Sequence, residues 1–300
     1  MSTDTEYQHN QRCYGTAWAP ATQVPRPPED WAHHAASARL YDRLLGGSDC
    51  YASDRAVFAD LSKDGFERLR QAAMINLEHN TAVVTRLAHE GFTQFLDLGC
   101  GYPSPRPHVR DVDETALALI PVPRVVYVDI DPRVVAHRRM RQENATVTRI
   151  VQGDLARTDT LLRSEQVSGA LDLDRPVAIL AHDVLPWLSD ADAMRSMRIL
   201  REWAPPGSAL SITHACDLGP TRPSKLTALV RDKATLTYLP RDKEVIREYA
   251  GGWPLLEPGL MPTARWRADS PLPEEMWHAS GAYAGVAIKP AASTAEARGA

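Results

Sequence analysis

Short apolar segments alternate with charged amphipathic segments from residue 92 onward, and this alternation limits the fold more than any other feature. The apolar segments are too short for helices and lie at residues 94–98, 124–128, 146–151, 176–181 and 209–213 (QFLDL, RVVYV, TVTRIV, PVAILA and ALSIT). Two segments between them, PRVVAHRRMRQEN and DADAMRSMRILREWA, have the pattern of helices. Strands that alternate with helices predict a Rossmann-like, doubly wound α/β fold with a mostly parallel sheet covered on both faces.

The C-terminal part of the chain departs from this alternation. GLMPTARW (259–266) and GAYAGVAIK (281–289) are separated by a polar, proline-containing stretch without a clear helix. We expect these two segments to form an antiparallel pair that joins the edge of the sheet.

Residues 31–90 have a helical period and no strand signal. WAHHAASARLYDRLLGG predicts a helix that ends at Gly46–Gly47, and a longer helix is expected from about Glu67 to a stop at Gly91. The sequence therefore predicts an N-terminal helical cap at 31–90 in front of a catalytic core at 91–290. Residues 1–30 are rich in proline and lack periodicity, which predicts a disordered tail, and 291–300 are expected to be a flexible tail.

Composition and charge exclude several classes of protein. The chain has 34 basic and 38 acidic residues, so nothing indicates a nucleic-acid or membrane partner, and the basic run HRRMR (137–141) is expected to be a solvated helix face. No apolar run approaches the roughly 20 residues of a membrane helix, and the polar start MSTDTEYQHN does not resemble a signal peptide. The four scattered cysteines predict a reducing cytoplasm rather than a disulfide framework.

The segment FLDLGCGYPSPRPH (95–108) places a glycine pair after the first predicted strand, where ligands of open parallel sheets bind. Gly99 can adopt a positive φ, and Gly101 lets a ligand approach the backbone closely. A dinucleotide site needs a third glycine, but Ser104 stands there between prolines, which donate no N–H to a phosphate. Asp97 would also repel phosphate, so the loop predicts a cationic nucleoside ligand without phosphates and a stiff entry into the next helix.

Acidic residues follow the next two predicted strands. Asp129 can accept both hydroxyls of a ribose, and Asp154 can accept from an exocyclic amine such as that of adenine. For each of these acids a helix N-cap is the alternative, and for Asp131, before Pro132, we prefer it.

This order of motifs resembles the class I S-adenosylmethionine-dependent methyltransferases. A closer resemblance, to the S-adenosyl methyltransferase family once known only as a domain of unknown function, is carried by residues 37–56, Asn76, 91–104, His108, 124–132 and 257–269. It implies a seven-stranded sheet whose last inserted strand is antiparallel, bound S-adenosylmethionine and an undefined acceptor. The cofactor residues inferred from motif and resemblance together are Asp97, Gly99, Cys100, Gly101, Asp129, Ile130, Asp154, Leu155, Tyr41, Gly46, Gly47, Arg55 and Asn76.

The sequence departs from the family pattern in two places near the cofactor. Leu77 stands where the family tends to have arginine, and Ser104 where it tends to have threonine. The segment AILAHDVLPWLSD also lacks the Asn/Asp-Pro-Pro-aromatic motif of methyltransferases that act on amino groups of nucleic acids.

The acceptor side is less defined because methyl transfer by in-line displacement needs no obligatory catalytic residue. His182 and Asp183 are weak candidates beyond the fourth strand, His214 is weaker still, and Trp187 is expected to pack. In the cap, Tyr41, Gly46, Gly47, Asp54 and Arg55 either close over the cofactor as a lid or form a helix terminus followed by a helix capped by Ser53. No metal site is expected, since adjacent His33 and His34 do not share a helix face.

These observations favour a methyltransferase that acts on a small molecule. A non-catalytic sensor that binds S-adenosylmethionine is the alternative, and a nicotinamide-dependent enzyme is disfavoured by the missing third glycine and by Asp97. The sequence does not specify the acceptor, the atom methylated or the oligomeric state.

Overall fold

One seven-stranded sheet organises the molecule. The computed structural model describes residues 31–144, 146–216, 223–234, 236–266 and 273–291. Its strands are β1 (Gln94–Leu98), β2 (Arg124–Asp129), β3 (Thr148–Gln152), β4 (Ala178–His182), β5 (Ala209–Ala215), β6 (Met261–Pro262) and β7 (Ala282–Ile288). Their order across the sheet is β3-β2-β1-β4-β5-β7-β6, and the α/β prediction is confirmed.

Parallel pairing runs from β3 to β5, whereas β7 pairs antiparallel with both β5 and β6. Strand β7 thus lies between β5 and β6, as the resemblance implied. The predicted strand GLMPTARW is shorter than expected, because only Met261 and Pro262 pair with β7 and the next residues form a helical turn.

Helices cover both faces of the sheet. The cap contains α1 (Ser37–Leu45), α2 (Ala52–Val57) and α3 (Lys63–His89). The remaining helices in chain order are α4 (Val112–Leu119), α5 (Pro132–Gln142), α6 (Thr158–Arg163), α7 (Glu165–Ser168), α8 (Asp190–Trp203), α9 (Pro223–Ala234), α10 (Lys243–Glu248) and α11 (Thr263–Trp266). Within the described ranges, none of the helices combines the length and apolarity that a membrane span requires.

The two faces of the sheet have separate apolar cores, because successive strand side chains point in opposite directions. Leu96 and Leu98 of β1 pack on one face with α8, and Phe95 packs on the other face against α3 and α4. A third core, built from α1, α2, α3 and α9, lies within the cap.

Two of the cap helices, α2 and α3, begin earlier than the sequence suggested, whereas α1 begins later, at Ser37. Helix α3 starts at Lys63 rather than near Glu67, since the Ser62 side chain accepts a hydrogen bond from the Gly65 N–H. The expectation that Ser53 caps the second helix is wrong: Tyr51 is the N-cap, and the Asp54 carboxylate accepts from its N–H. The predicted tail at 1–30 and nearly all of that at 291–300 lie outside the described residues.

Candidate functional site

A cavity of about 460 Å³ lies at the carboxyl ends of β1 to β4, where the strand order reverses between β1 and β4. Ligands of doubly wound sheets bind at this reversal. The floor consists of strand ends and the loops after them, and helices α1 and α3 supply the opposite wall. Floor residues are Leu98, Gly99, Cys100, Gly101, Val128, Asp129, Ile130, Gly153, Asp154, Leu155, His182, Asp183 and Val184.

The two glycines of the loop after β1, Gly99 and Gly101, differ in what a side chain at each position would meet. Gly99 has φ 68°, and a Cβ there would lie 2.4 Å from Cγ2 of Val184, so packing against the β4 loop excludes a side chain. Gly101 has φ 62°, and a Cβ would meet no atom within 4 Å. The backbone at Gly101 therefore faces open cavity, the arrangement expected where a ligand approaches the chain closely.

Asp129 anchors this loop from the end of β2. Its Oδ2 accepts from the Gly101 N–H at 2.9 Å, and its Oδ1 accepts from the Asp131 N–H at 2.9 Å. Burial raises the pKa of Asp129 to about 6. Each carboxylate oxygen can accept a further hydrogen bond, so the group can still receive ribose hydroxyls.

Arg138, which sequence reasoning missed, holds the same loop from below. The run HRRMR was expected to be a solvated face, but Arg138 in it is only 2% exposed. Its guanidinium donates to the carbonyls of Gly101 (2.6 Å), Cys100 (2.8 Å) and Tyr102 (3.2 Å), and it lies 4.3 Å over the Tyr127 ring. The available signal was helical spacing, because Arg138 continues the buried stripe of Val134 and Val135.

Asp97 lies behind the cavity wall rather than in it. It is 5% exposed and shares the sheet face of Phe95, whereas Leu98 to Gly101 line the cavity. Burial raises its pKa to about 7, against the opposing effect of Arg138. Asp97 is therefore not among the residues that line the cavity, and its contact with a cationic ligand stays a prediction.

The loops after β2 and β3 complete the floor. Asp154 lines the cavity and also accepts from the Ala156 N–H at 2.8 Å, so it caps the following turn while keeping acceptor capacity. Leu155 is buried beside it, and Ile130 is 58% exposed at the cavity edge. Asp131 caps α5 through the Arg133 N–H, as the alternative interpretation predicted.

Helix α1 covers the cavity with a single stripe of side chains, Ser37, Ala38, Tyr41, Asp42 and Leu45. The Tyr41 hydroxyl donates to Oδ2 of Asp183 at 3.0 Å across a separation of 142 residues. Asp42 Oδ2 accepts from the Asp49 N–H at 2.9 Å and so fixes the loop after α1. Helix α1 therefore lies where the lid interpretation of the cap places a cover over the cavity.

Four other predicted lid residues do not line this cavity. Gly46, at φ 83°, ends α1 and contacts the Arg106 side chain, and a Cβ at Gly47 would lie 1.9 Å from the Asp42 carboxylate. Buried Asp54 pairs with Arg39 at 2.8 Å, and exposed Arg55 donates to the Cys50 carbonyl at 3.0 Å. These residues shape the cap, and their contact with the ligand stays a prediction that the lining of this cavity does not support.

Asp183 has the least common backbone conformation in the cavity. Its φ is 52°, and its N–H donates to the Thr213 carbonyl at 3.1 Å and to the Thr213 hydroxyl at 3.0 Å. Burial raises the pKa of the Asp183 carboxyl to about 6, while hydrogen bonds from Tyr41, Thr213 and Asn76 act in the opposite direction. The carboxylate is therefore held in place at the tip of β4 and facing the cavity.

Asn76 and Asn80 lie one turn apart on α3 and line the cavity. The side-chain oxygens of both are buried and have no hydrogen-bond partner in the described part of the chain. Buried polar atoms are normally paired, so these two oxygens retain acceptor capacity beside the cavity.

The two predicted histidines differ. His182 lines the cavity, its Nε2 lies 2.8 Å from the Ser211 hydroxyl, and burial lowers its pKa to about 3. His214 lies outside the cavity, with Nδ1 2.7 Å from the Ala215 carbonyl and Nε2 3.0 Å from Nη1 of Arg241. Burial lowers the pKa of His214 to about 3 as well, which favours the packing interpretation over a role on the acceptor side.

Aromatic packing forms the wall beyond Asp183. Trp187 lines the cavity and packs on Tyr238 with ring centroids 4.8 Å apart, in agreement with its predicted packing role. Arg241 donates to the carbonyls of Leu185 and Leu188 and thereby fixes the turn that carries Trp187. Within the described ranges, no cluster of histidine, cysteine or carboxylate side chains is arranged to hold a metal ion.

The sheet order, the open glycine loop and the acid after β2 define a class I S-adenosylmethionine-dependent methyltransferase. The sequence profile of the S-adenosyl methyltransferase family matches residues 28–290. The chain belongs to this family, and its cofactor is S-adenosylmethionine.

Solved structures of similar proteins agree with this assignment. A protein from Thermobifida fusca YX, described as a candidate methyltransferase, is 31% identical over 90% of this chain and 100% of its own, with a TM-score of 0.77. A DUF574 family protein from Streptomyces avermitilis is 28% identical over 86% of this chain and 99% of its own, with a TM-score of 0.79. Among curated proteins, nothing matches the chain.

Proposed function

We propose that this methyltransferase binds S-adenosylmethionine in the 460 Å³ cavity and transfers its methyl group to a small-molecule acceptor. The observation that carries the proposal is the open backbone at Gly101, with Asp129 at the end of β2 and Asp154 just after β3, the two strands on one side of β1. Such a cavity fits a nucleoside without phosphates. We assign the ribose hydroxyls to Asp129, the adenine amine to Asp154, and the cofactor ammonium to the unpaired oxygen of Asn80.

The lining side chains support a small acceptor over a nucleic acid. The described residues that line the cavity include no lysine or arginine, and His182 is neutral. Proteins that bind nucleic acid neutralise phosphates with basic side chains, so this surface is unsuited to one. A cytoplasmic location stays a prediction from cysteine usage.

The chain's own part in the reaction is to orient and to exclude water. Bound S-adenosylmethionine supplies a methyl group activated by a sulfonium. Helix α1 covers the cavity from above, and the Tyr41–Asp183 hydrogen bond ties this cover to β4. A covered site of this kind holds reactants near attack distance and limits the access of solvent to the sulfonium. Asp183 is the carboxylate placed to take the proton that the acceptor loses.

Calorimetry on the parent and on Gly101→Val tests the cofactor site. The variant should bind S-adenosylmethionine at least tenfold more weakly, because a side chain fills the space above the loop. Gly252→Val is the matched control: Gly252 has φ 87°, is exposed, and a Cβ there likewise meets no atom within 4 Å. Both variants carry similar backbone strain, so only the ligand distinguishes them.

If both glycine variants lose the same affinity, or if Gly101→Val loses none, the assignment of the cofactor site to this loop is wrong. NAD and ATP serve as comparison ligands and should bind neither the parent nor the variants. Binding of S-adenosylmethionine without turnover on any acceptor would point instead to a sensor.

A further inference from the structure

A second, smaller cavity of about 50 Å³ adjoins the first between the cap and β5. Tyr41, Asn76, Asp183 and Trp187 line both cavities and so form the partition between them. The rest of the second cavity is mostly apolar, with Leu40, Leu44, Phe58, Leu69, Ala72, Ala73, Ala215, Leu226, Tyr238, Ser280 and Gly281 as its remaining described lining.

The strand order places this partition at the acceptor side. Asp129 and Asp154 follow β2 and β3, on one side of β1, whereas Asp183 follows β4 on the other side. A cofactor with its nucleoside on β2 and β3 therefore has its sulfonium end toward β1 and β4. The partition is the part of the wall that an acceptor nitrogen or oxygen would have to reach.

Charge restricts what can bind there. The described lining of the two cavities includes the carboxylates of Asp42, Asp129, Asp154 and Asp183, and no lysine or arginine. An anionic acceptor would meet carboxylates that no lysine or arginine of the described lining neutralises, which is unfavourable. A cationic acceptor would be attracted.

The hydrogen-bonding groups at the partition favour an amine over an alcohol as the acceptor. Two acceptors lie at the partition: the Asp183 carboxylate, which already accepts hydrogen bonds from Tyr41, Thr213 and Asn76, and Oδ1 of Asn76, which has no partner in the described part of the chain. Asn76 is only 8% exposed. A hydroxyl has one proton and can satisfy one of them, whereas an ammonium or amine can donate to both. Asn76, inferred from resemblance to contact the cofactor, is thus better placed to hold the acceptor.

Size restricts the apolar group. A dry cavity of about 150 Å³ holds benzene, so the much smaller volume of about 50 Å³ suits a short alkyl group better than a ring.

We propose that the acceptor is an aliphatic amine whose nitrogen binds between Asp183 and Asn76 and whose short alkyl group enters the second cavity. This inference rests on the proposed function of the larger cavity. Asp183 takes one proton from the ammonium, the nitrogen lone pair forms the N–C bond, and the C–S bond breaks with its electron pair left on sulfur. The products are the N-methylated ammonium and the neutral thioether, and Asp183 releases its proton to solvent.

Three matched series of probes test the class: propylamine, isobutylamine and isopentylamine, with the alcohol and the carboxylate of each skeleton. Affinity for the full chain saturated with S-adenosylhomocysteine is measured by ligand-observed NMR at pH 7.5, and N-methylation by mass spectrometry. At least one amine should bind tenfold more tightly than its alcohol and carboxylate. Equal binding of a carboxylate, or no preference for any amine, overturns the proposal.

Two variants test the residues. Asp183→Asn should abolish the preference for amine over alcohol, and asparagine tolerates the positive φ of this position. Asn76→Ala, a favourable helix substitution, should weaken amine binding severalfold. Asp174→Asn, in an exposed loop, is the matched control and should leave the preference intact.

Separate titration of S-adenosylhomocysteine distinguishes the two levels of inference. If the parent protein does not bind S-adenosylhomocysteine, the proposed function is refuted. If it binds S-adenosylhomocysteine but shows no preference for amines, only the proposal that the acceptor is an aliphatic amine is refuted. An unchanged preference in folded Asp183→Asn also overturns the acceptor class.

Discussion

The two halves of the large cavity are built in different ways. The half at β1, β2 and β3 consists of strand ends whose side chains bind backbone groups, such as Asp129 with Gly101 and Asp131. The half at α1, α3 and β4 depends on contacts between side chains far apart in sequence, such as Tyr41 with Asp183. Under the proposed function, the first half binds the nucleoside of the cofactor and the second half contacts the acceptor.

The largest expected effect is on stability, and it tests how Arg138 supports the loop after β1 in the first half of the cavity. Arg138→Leu should lower the free energy of unfolding by about 3–5 kcal/mol, because three loop carbonyls lose their buried donor. Urea denaturation measures this change. Arg141→Leu, in the same basic run but exposed, should stay within about 0.5 kcal/mol of the parent. If the two substitutions have similar effects, Arg138 does not support the loop and behaves as a residue of the solvated helix face.

The next effect concerns the ligand rather than the fold. Asp129→Ala should weaken S-adenosylmethionine binding by about 1–3 kcal/mol, the cost of leaving the ribose hydroxyls unpaired in a buried site. Calorimetry on a variant with native circular dichroism checks the value. Unchanged affinity would mean that Asp129 serves only the loop.

The cover formed by α1 is tested by Tyr41→Ala, which removes the hydrogen bond to Asp183. We expect S-adenosylmethionine affinity to fall by about 1 kcal/mol, or about fivefold. Arg55→Ala is the control from the same cap, because its side chain is exposed and bonds only locally in the described structure. If calorimetry shows the reverse order, the cap closes through the loop after α1 and not through the helix.

The smallest effect is a pH dependence of stability. Burial raises the pKa of Asp97 from 3.8 to about 7, so between these values the native state binds more protons than the unfolded state. Stability from this group is full below pH 3.8 and is lost as pH rises through about 7.

Asp97→Asn should therefore raise the melting temperature by about 2–4 °C at pH 8, corresponding to about 1 kcal/mol, and by less at pH 5. Differential scanning calorimetry checks this, with exposed Asp174→Asn as control. A gain that is the same at both pH values would show that Asp97 is ionised throughout.

The sequence alone determined the sheet and the first half of the cavity. Period-2 and period-3.6 patterns are local, so β1, β2 and the helix before Gly91 could be predicted within a few residues. The glycine pair and Asp129 could be identified because a strand end and its following turn interact within a short motif. The prolines at 103, 105 and 107 likewise predicted the long loop that precedes α4.

Only the tertiary structure decided the rest. The burial of Arg138, the neutral role of His214 beside Arg241 and the position of Asp97 behind the wall depend on which faces meet after folding. The Tyr41–Asp183 contact joins residues 142 positions apart. Local periodicity carries no information about such pairs, because their energy arises from packing between elements rather than within one.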